Sequence, residues 1–176
     1  MSNSISDFKN AFNGGTRANR FQVSATWPSG VLVDNDDTTF KVFSANLPKS
    51  EVGTINVPYR GRLLNFAGDR VYGSWTLGVY DDGNANNLWK AFNKWKDLLD
   101  SHDKHLVDSS DFDYSGLQKT WTLNQLNLNG ANLRVIQLIN CWPSQISNLD
   151  LDMAKADQSV FSVVMTFDYY NIQTGL

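Results

Sequence analysis

Residues 52–82 read VGTINVPYRGRLLNFAGDRVYGSWTLGVYDD, and the way this stretch folds decides the rest of the chain. Val52 to Val57 alternates as a strand, and Val71 to Tyr80 does so again, with Trp75, Leu77 and Val79 on one face. Between them Ala67-Gly68-Asp69 has the residue types of a turn, so the stretch predicts one long hairpin. Its middle, Tyr59 to Arg70, mixes three arginines and an aspartate with Leu63, Leu64 and Phe66. Such a segment is too apolar for a solvated loop and too charged for a core, and it fits a surface that a partner covers.

Downstream the period changes from two to 3.6. Leu88, Phe92, Trp95 and Leu99 stand at i, i+4, i+7 and i+11, with Lys90, Asn93, Lys94 and Lys96 opposite, which predicts an amphipathic helix between Asn84 and Asp100. Ser101 to Gly116 is polar and reads as an exposed loop. Three strands follow, Leu117 to Leu128, Leu133 to Trp142 and Ser159 to Tyr170, with Asn129-Gly130 as the turn between the first two. Upstream, Ile5, Phe8 and Phe12 at i, i+3 and i+7 behind a Ser4/Asp7 capping box predict a short helix. Phe21 to Trp27 alternates as a strand, and Val31 to Val33 with Thr39 to Ser44 predicts a hairpin around Asp34 to Asp37.

The reading is a mainly β, single domain over residues 1–176. It is an antiparallel β-sandwich or open barrel with one packed α-helix and a long protruding hairpin. Leu133 to Trp142 and Val160 to Tyr169 are apolar on both faces, more than one small domain covers, which points to an oligomer. A net charge of −3 gives no footprint for gripping nucleic acid. The single cysteine, Cys141, lies in an apolar run, so no disulfide forms within the chain and the thiol reads as a small buried hydrophobe. Neither a signal peptide nor an apolar run of membrane-spanning length is visible, so a soluble protein outside the usual export route is expected.

Catalytic chemistry finds little support. His102 and His105 with Asp100, Asp103 and Asp108 lack the spacing of a metal site, and Asp111 to Gly116 imitates a calcium loop but has Thr122 where the bidentate Glu belongs. No nucleophile elbow, phosphate-binding loop or dinucleotide fingerprint is present, so the chain reads as non-enzymatic, with no cofactor and no metal. Asp81-Asp82-Gly83 is expected to serve the turn into the helix. Six tryptophans raise a glycan-binding β-sandwich as an alternative of a different class. Trp27, Trp75, Trp89, Trp95 and Trp121, however, stand in strands and the helix, where core packing is the ordinary role.

Several stretches, in order, carry a resemblance. Asn65-Phe66-Ala67-Gly68-Asp69-Arg70 followed by Trp75-Thr76-Leu77-Gly78-Val79 resembles the corresponding hairpin of the tail tube proteins of contractile-tailed bacteriophages of the T4 type. Asn19 to Val23, Phe43 to Pro48, Phe92 to Trp95, Leu138 to Pro143 and Phe161 to Tyr170 extend the likeness over nearly the whole chain, whereas Asp34 to Asp37 and Ser101 to Gly116 depart from it. The resemblance implies a virion protein, assembled in the host cytoplasm, whose hexameric rings stack into the tube through which the genome leaves. It implies contacts with sheath and baseplate proteins, passing DNA that is not specifically bound, and no membrane anchor. Tyr59, Arg60, Arg62, Leu63, Phe66, Asp69 and Arg70 become the candidate inter-ring or inter-subunit contacts, with Trp75, Phe92, Trp95 and Trp142 assigned to the core. A tube initiator, or the secreted tube subunit of a related injection system, is the alternative within the same architecture.

Overall fold

One strand belongs to two sheets, and the rest of the body is arranged about it. The computed structural model describes residues 4–12, 15–33, 35–84, 87–100, 114–149, 151–154 and 156–174. In chain order these form α1 (Ile5–Phe12), β1 (Phe21–Ser24), α2 (Asn35–Lys41), β2 (Val42–Ala45), β3 (Ser50–Tyr59), β4 (Arg62–Tyr72) and β5 (Trp75–Tyr80). There follow α3 (Leu88–Leu99), α4 (Tyr114–Leu117), β6 (Lys119–Leu126), β7 (Asn132–Ile146), β8 (Val160–Thr166) and β9 (Tyr169–Thr174). The first half of β7 lies between β6 and β9, and β1 pairs the far side of β6. Its second half pairs β8, which pairs β5, which pairs β2. Every pairing is antiparallel.

The change of sheet is made at Asn140, whose φ of 57° places it in the left-handed region that Asn tolerates better than most side chains. Its Nδ2 donates to Asp168 Oδ2 at 2.6 Å, and the Asp168 N–H donates to the Ile139 carbonyl at 3.1 Å. Asp168 lies between β8 and β9, so the chain crosses between sheets twice at the same corner, and one side-chain pair ties the crossings together. A bend of this kind is how strands turn a corner between sheets packed face to face.

The core fills the space between the sheets. Trp75, Leu77, Val79, Phe161, Val163 and Met165 point inward from one, and Trp121, Leu123, Ile136 and Leu138 from the other. α3 closes the core with Leu88, Ala91, Phe92 and Trp95, as its period predicts, and starts at Asn87, whose Oδ1 accepts from the Lys90 N–H at 2.9 Å. A buried indole N–H needs an acceptor, and each finds one outside the regular ladders. Trp121 donates to the Thr26 carbonyl at 3.0 Å, Trp75 to Asn46 at 2.7 Å and Trp95 to Leu117 at 2.8 Å. The half-buried Trp27 donates to Thr38 Oγ1 at 3.2 Å and meets Phe92, Trp95 and Trp121 at ring separations of 4.9–5.5 Å. The indoles therefore fasten connecting segments to the core as well as filling it. Trp142, also assigned to the core, is only half-buried and packs against it.

Four expectations need correction. The turn of the long hairpin is at Arg60-Gly61, not at Ala67-Gly68-Asp69, which lies within β4. The return strand is accordingly 62–72, and Trp75 to Tyr80 is not its continuation but an interior strand of the body. No hairpin links Val31–Val33 to Thr39–Ser44, because residues 35–41 are helical and β2 pairs β5 instead. Acidic residues suit the first turn of a helix as well as a loop tip, so the polar run was ambiguous. Finally, Ser159 to Tyr170 is two strands, broken at Phe167-Asp168 where the chain changes sheet.

Asp81 and Asp82 divide the work expected of them. Asp81 Oδ1 accepts from the Asn87 amide at 3.2 Å and so orients the helix cap, while Asp82 forms an ion pair with Lys41 at 2.5 Å. The Lys41 hydrogen bond holds the Asp82 carboxyl below its ordinary pKa of 3.8, with a further contribution from Asn84. A lowered folded-state pKa gives stability that is present above the unfolded value and lost as pH falls through the folded one. Asp82→Asn is therefore expected to reduce stability at neutral pH and to flatten the acid limb of a stability-versus-pH curve below about pH 4. Trp121→Ala is expected to cost about 3–5 kcal/mol by chemical denaturation, since it opens a cavity and orphans the Thr26 carbonyl.

Candidate assembly surface

β3 and β4 form a two-stranded sheet of their own, and nearly every residue in it is exposed. Ten residues at about 3.3 Å each carry its tip roughly 33 Å along the strand direction. Arg60 and Gly61 have φ of 48° and 79°, the two positive values of a tight hairpin turn whose twist matches the strands. Near the middle the register shifts between Val52 and Thr54, where Gly53 faces the Gly68-Asp69 segment. A Cβ on Gly68 would stand 3.2 Å from the Gly53 backbone and from Ile55 Cγ1, so a side chain there would push the facing strand back slightly. The base is held by Ser50 Oγ on the Tyr170 hydroxyl at 2.9 Å and by Tyr72 against the rings of Phe167 and Tyr170.

Residues directly opposite across an antiparallel pair share a face. Beyond the bulge the pairs Ile55–Phe66, Val57–Leu64 and Tyr59–Arg62 make one face, while Thr54–Ala67, Asn56–Asn65 and Pro58–Leu63 make the other. The first is an apolar stripe in which Ile55, Val57, Tyr59, Leu64 and Phe66 are all exposed. An isolated hairpin is marginal in water, and a charged tip over a bare apolar face is the arrangement expected of a contact surface. Arg60 lies over the Tyr59 ring, 5.4 Å from its centroid, which keeps a cation at the tip.

The seven residues singled out from the sequence thus fall into two groups. Tyr59, Arg60, Arg62, Leu63 and Phe66 stand in the outer half, with Leu63 on the face opposite Phe66, whereas Asp69 lies in the bulge and Arg70 just beyond it toward the base. Ile55, Val57 and Leu64 were missed. Their signal was the alternation Ile55-x-Val57-x-Tyr59 reflected through Arg60-Gly61 onto Leu64-x-Phe66, which becomes visible once the turn is placed correctly.

The body has free edges as well. Among the described residues, β1, β2 and β9 each pair on one side only, and so does the second half of β7. A profile of the family described as phage tail tube protein matches residues 16–173. The chain belongs to that family. Tail tube protein gp19 of Enterobacteria phage T4 is 25% identical over 170 residues, covering 94% of this chain and 98% of that protein. The tail tube protein of Serratia phage KSP90 is 23% identical over 158 residues, covering 87% of each.

Among solved structures, the extended sheath-tube complex of an extracellular contractile injection system contains a chain with a TM-score of 0.63 at 16% identity, covering 99% of this chain and all of that one. The tube-terminating cap of the anti-feeding prophage gives 0.65 at 18% identity, covering 91% of each. These likenesses show a shared fold. Family members are structural tail components of the virion, and the mainly β architecture read from the sequence is that of the tube proteins.

The glycan-binding alternative loses its basis, because Trp75, Trp95 and Trp121 are buried, Trp27 is half-buried, and Trp89 alone of those five rings is exposed. His102, His105, Asp111 and Asp113 lie outside the described residues, and among the described residues no cluster of His, Cys, Asp and Glu is arranged to hold a metal. No described helix is long and apolar enough to cross a membrane. Cys141 is fully buried and donates to the Leu138 carbonyl at 3.5 Å, and burial pushes its thiol up to about 12.

A β-branched side chain is strained at the positive φ of Gly61. In Gly61→Val, backbone amides of residues 52–70 are expected to exchange faster with solvent deuterium. Tryptophan-monitored unfolding of the body should shift by less than about 0.5 kcal/mol, because the hairpin tip contributes nothing to the core.

Proposed function

We propose that this protein is the repeating subunit of the inner tube of a contractile phage tail, that copies of it close into rings of six, and that the rings stack to form the conduit for genome ejection. The observation that carries this reading is the β3–β4 hairpin, which projects an exposed apolar stripe from a body whose own core is complete without it. Fully burying one such Val, Leu, Ile or Phe side chain contributes about 1.5–3 kcal/mol, so covering the stripe favours association strongly. Tyr59, Arg60, Arg62, Leu63, Phe66, Asp69 and Arg70 belong to this contact, together with Ile55, Val57 and Leu64. The free strand edges support lateral contacts that close the ring, since an interface joining unlike surfaces of identical chains closes when the rotation between neighbours permits.

The chain acts as one domain. Its work is self-assembly, without a cofactor, in the host cytoplasm and then in the virion, with sheath outside and baseplate at one end. The net charge of −3 suits a wall past which DNA moves without being held.

The Arg62→Glu/Arg70→Glu double variant is expected to stay folded, with unchanged circular dichroism and tryptophan fluorescence, and to form no tubes by negative-stain electron microscopy. Both changes are on exposed hairpin positions, so loss of assembly without loss of fold is specific to the surface. Normal tubes from the double variant would remove the hairpin from the stacking contact. Discrete rings from the unmodified chain that never stack would instead favour a tube initiator.

A further inference from the structure

Two more surfaces have no partner among the described residues, and they are complementary. α1 is set up by local bonds: the Asp7 N–H donates to Ser4 Oγ at 3.2 Å, the Ser4 N–H donates to Asp7 Oδ2 at 3.1 Å, and the Gly15 N–H closes on the Phe12 carbonyl at 2.9 Å. Phe8 and Phe12 stack 5.5 Å apart. Yet no residue of the helix is buried, and Ile5, Phe8 and Phe12 are 77%, 67% and 58% exposed. Eight residues fall short of the roughly 12–15 at which a helix holds by itself in water, so this apolar ridge requires a cover.

The second surface is a groove of about 580 Å³ along the outer side of α3, between Trp89, Asn93 and Lys96 on the helix and Ile146, Leu149 and Leu151 at and beyond the end of β7. Its size lies within the range of roughly 300–1,000 Å³ of pockets that enclose apolar groups. Anchors at i, i+3 and i+7 are the spacing with which a helix fills such a groove, and they are the spacing of Ile5, Phe8 and Phe12. The charges match in kind, with Asp7 and Lys9 on the helix and Lys96 and Asp81 in the groove wall. The two surfaces also adjoin different edges. α1 leads into β1, the outer strand of one sheet, and the groove adjoins the second half of β7, the outer strand of the other. Contact between unlike patches of identical chains propagates from copy to copy.

We propose that α1 of one copy seats Ile5, Phe8 and Phe12 in the groove that Ile146, Leu149 and Leu151 form with α3 of a neighbouring copy. The contact rests on the self-assembly reading and adds to it a second interface, separate from the hairpin. It makes the N-terminal helix a clasp between subunits.

The native thiol is buried, so paired surface cysteines report without background. Full-length chains carrying Phe8→Cys and, separately, Leu151→Cys are mixed, assembled and mildly oxidised, then run on a non-reducing gel beside an electron-microscopy sample. The expected result is a disulfide-linked dimer from the mixture, absent from either chain alone, and reduced at least tenfold when Ile5→Asp is added to the Phe8→Cys chain. Tubes that form without the mixed dimer overturn the clasp and leave the self-assembly reading standing. A chain carrying both cysteines that links only within itself overturns it too, because the helix then covers its own groove. Absence of any ring or tube from the unmodified chain removes the self-assembly reading and the clasp with it.

Discussion

The body depends on β7 serving two sheets. A strand of 15 residues is long for a domain of this size, and it reaches from one sheet into the other only because Asn140 accepts a left-handed backbone and Asp168 holds it there. A β-branched residue at that position would straighten the strand or strain it. The bend separates the two sheets far enough for Trp75, Trp121, Phe92 and Trp95 to stand between them. Those indoles in turn fix Thr26, Asn46 and Leu117, segments with no ladder of their own. Corner, core and connections form one chain of dependence.

The hairpin stands outside that chain. Among the described residues it is joined to the body at its base by a tyrosine cluster and one hydroxyl pair, while its outer half stays exposed, so its order and the body's stability are set largely by different interactions. This separation suits an assembling subunit. A core that is complete in one copy lets the subunit fold before it meets another, and an apolar surface held apart from that core is available when it does. The family to which the chain belongs is the phage tail tube protein family, and an acidic chain with an exposed apolar stripe on a projecting ribbon suits work done by contact.

α1 fits the same scheme at a different place. Its capping box and terminal glycine make it a helix before it has anything to pack against, while the groove beside α3 is shaped by elements that belong to the core. One surface is preformed by local hydrogen bonds and the other by tertiary packing. Preorganisation on both sides lowers the ordering entropy of a contact between copies.

The sequence by itself determined what depends on neighbours along the chain. The period of Leu88 to Leu99, the Ser4/Asp7 capping box, the Asn129-Gly130 turn and the apolar run around Cys141 each translate directly into the observed helix, cap, turn and buried strand, because their causes lie within a few residues. The ordered likeness to the tail tube proteins was legible for the same reason. What it left open depended on pairing across the fold. Alternation in β3 and β4 permits several registers, and two turn signals competed, Arg60-Gly61 and Ala67-Gly68-Asp69. Only the ladder, with a glycine bulge absorbing the extra residue, selected the first. The polar run before Thr39 is helical and is held to the body by the Trp27–Thr38 hydrogen bond, and the last strand divided because the chain had to turn a corner at Asp168. Tertiary structure decided those points because each is settled by a contact whose partners are distant in sequence.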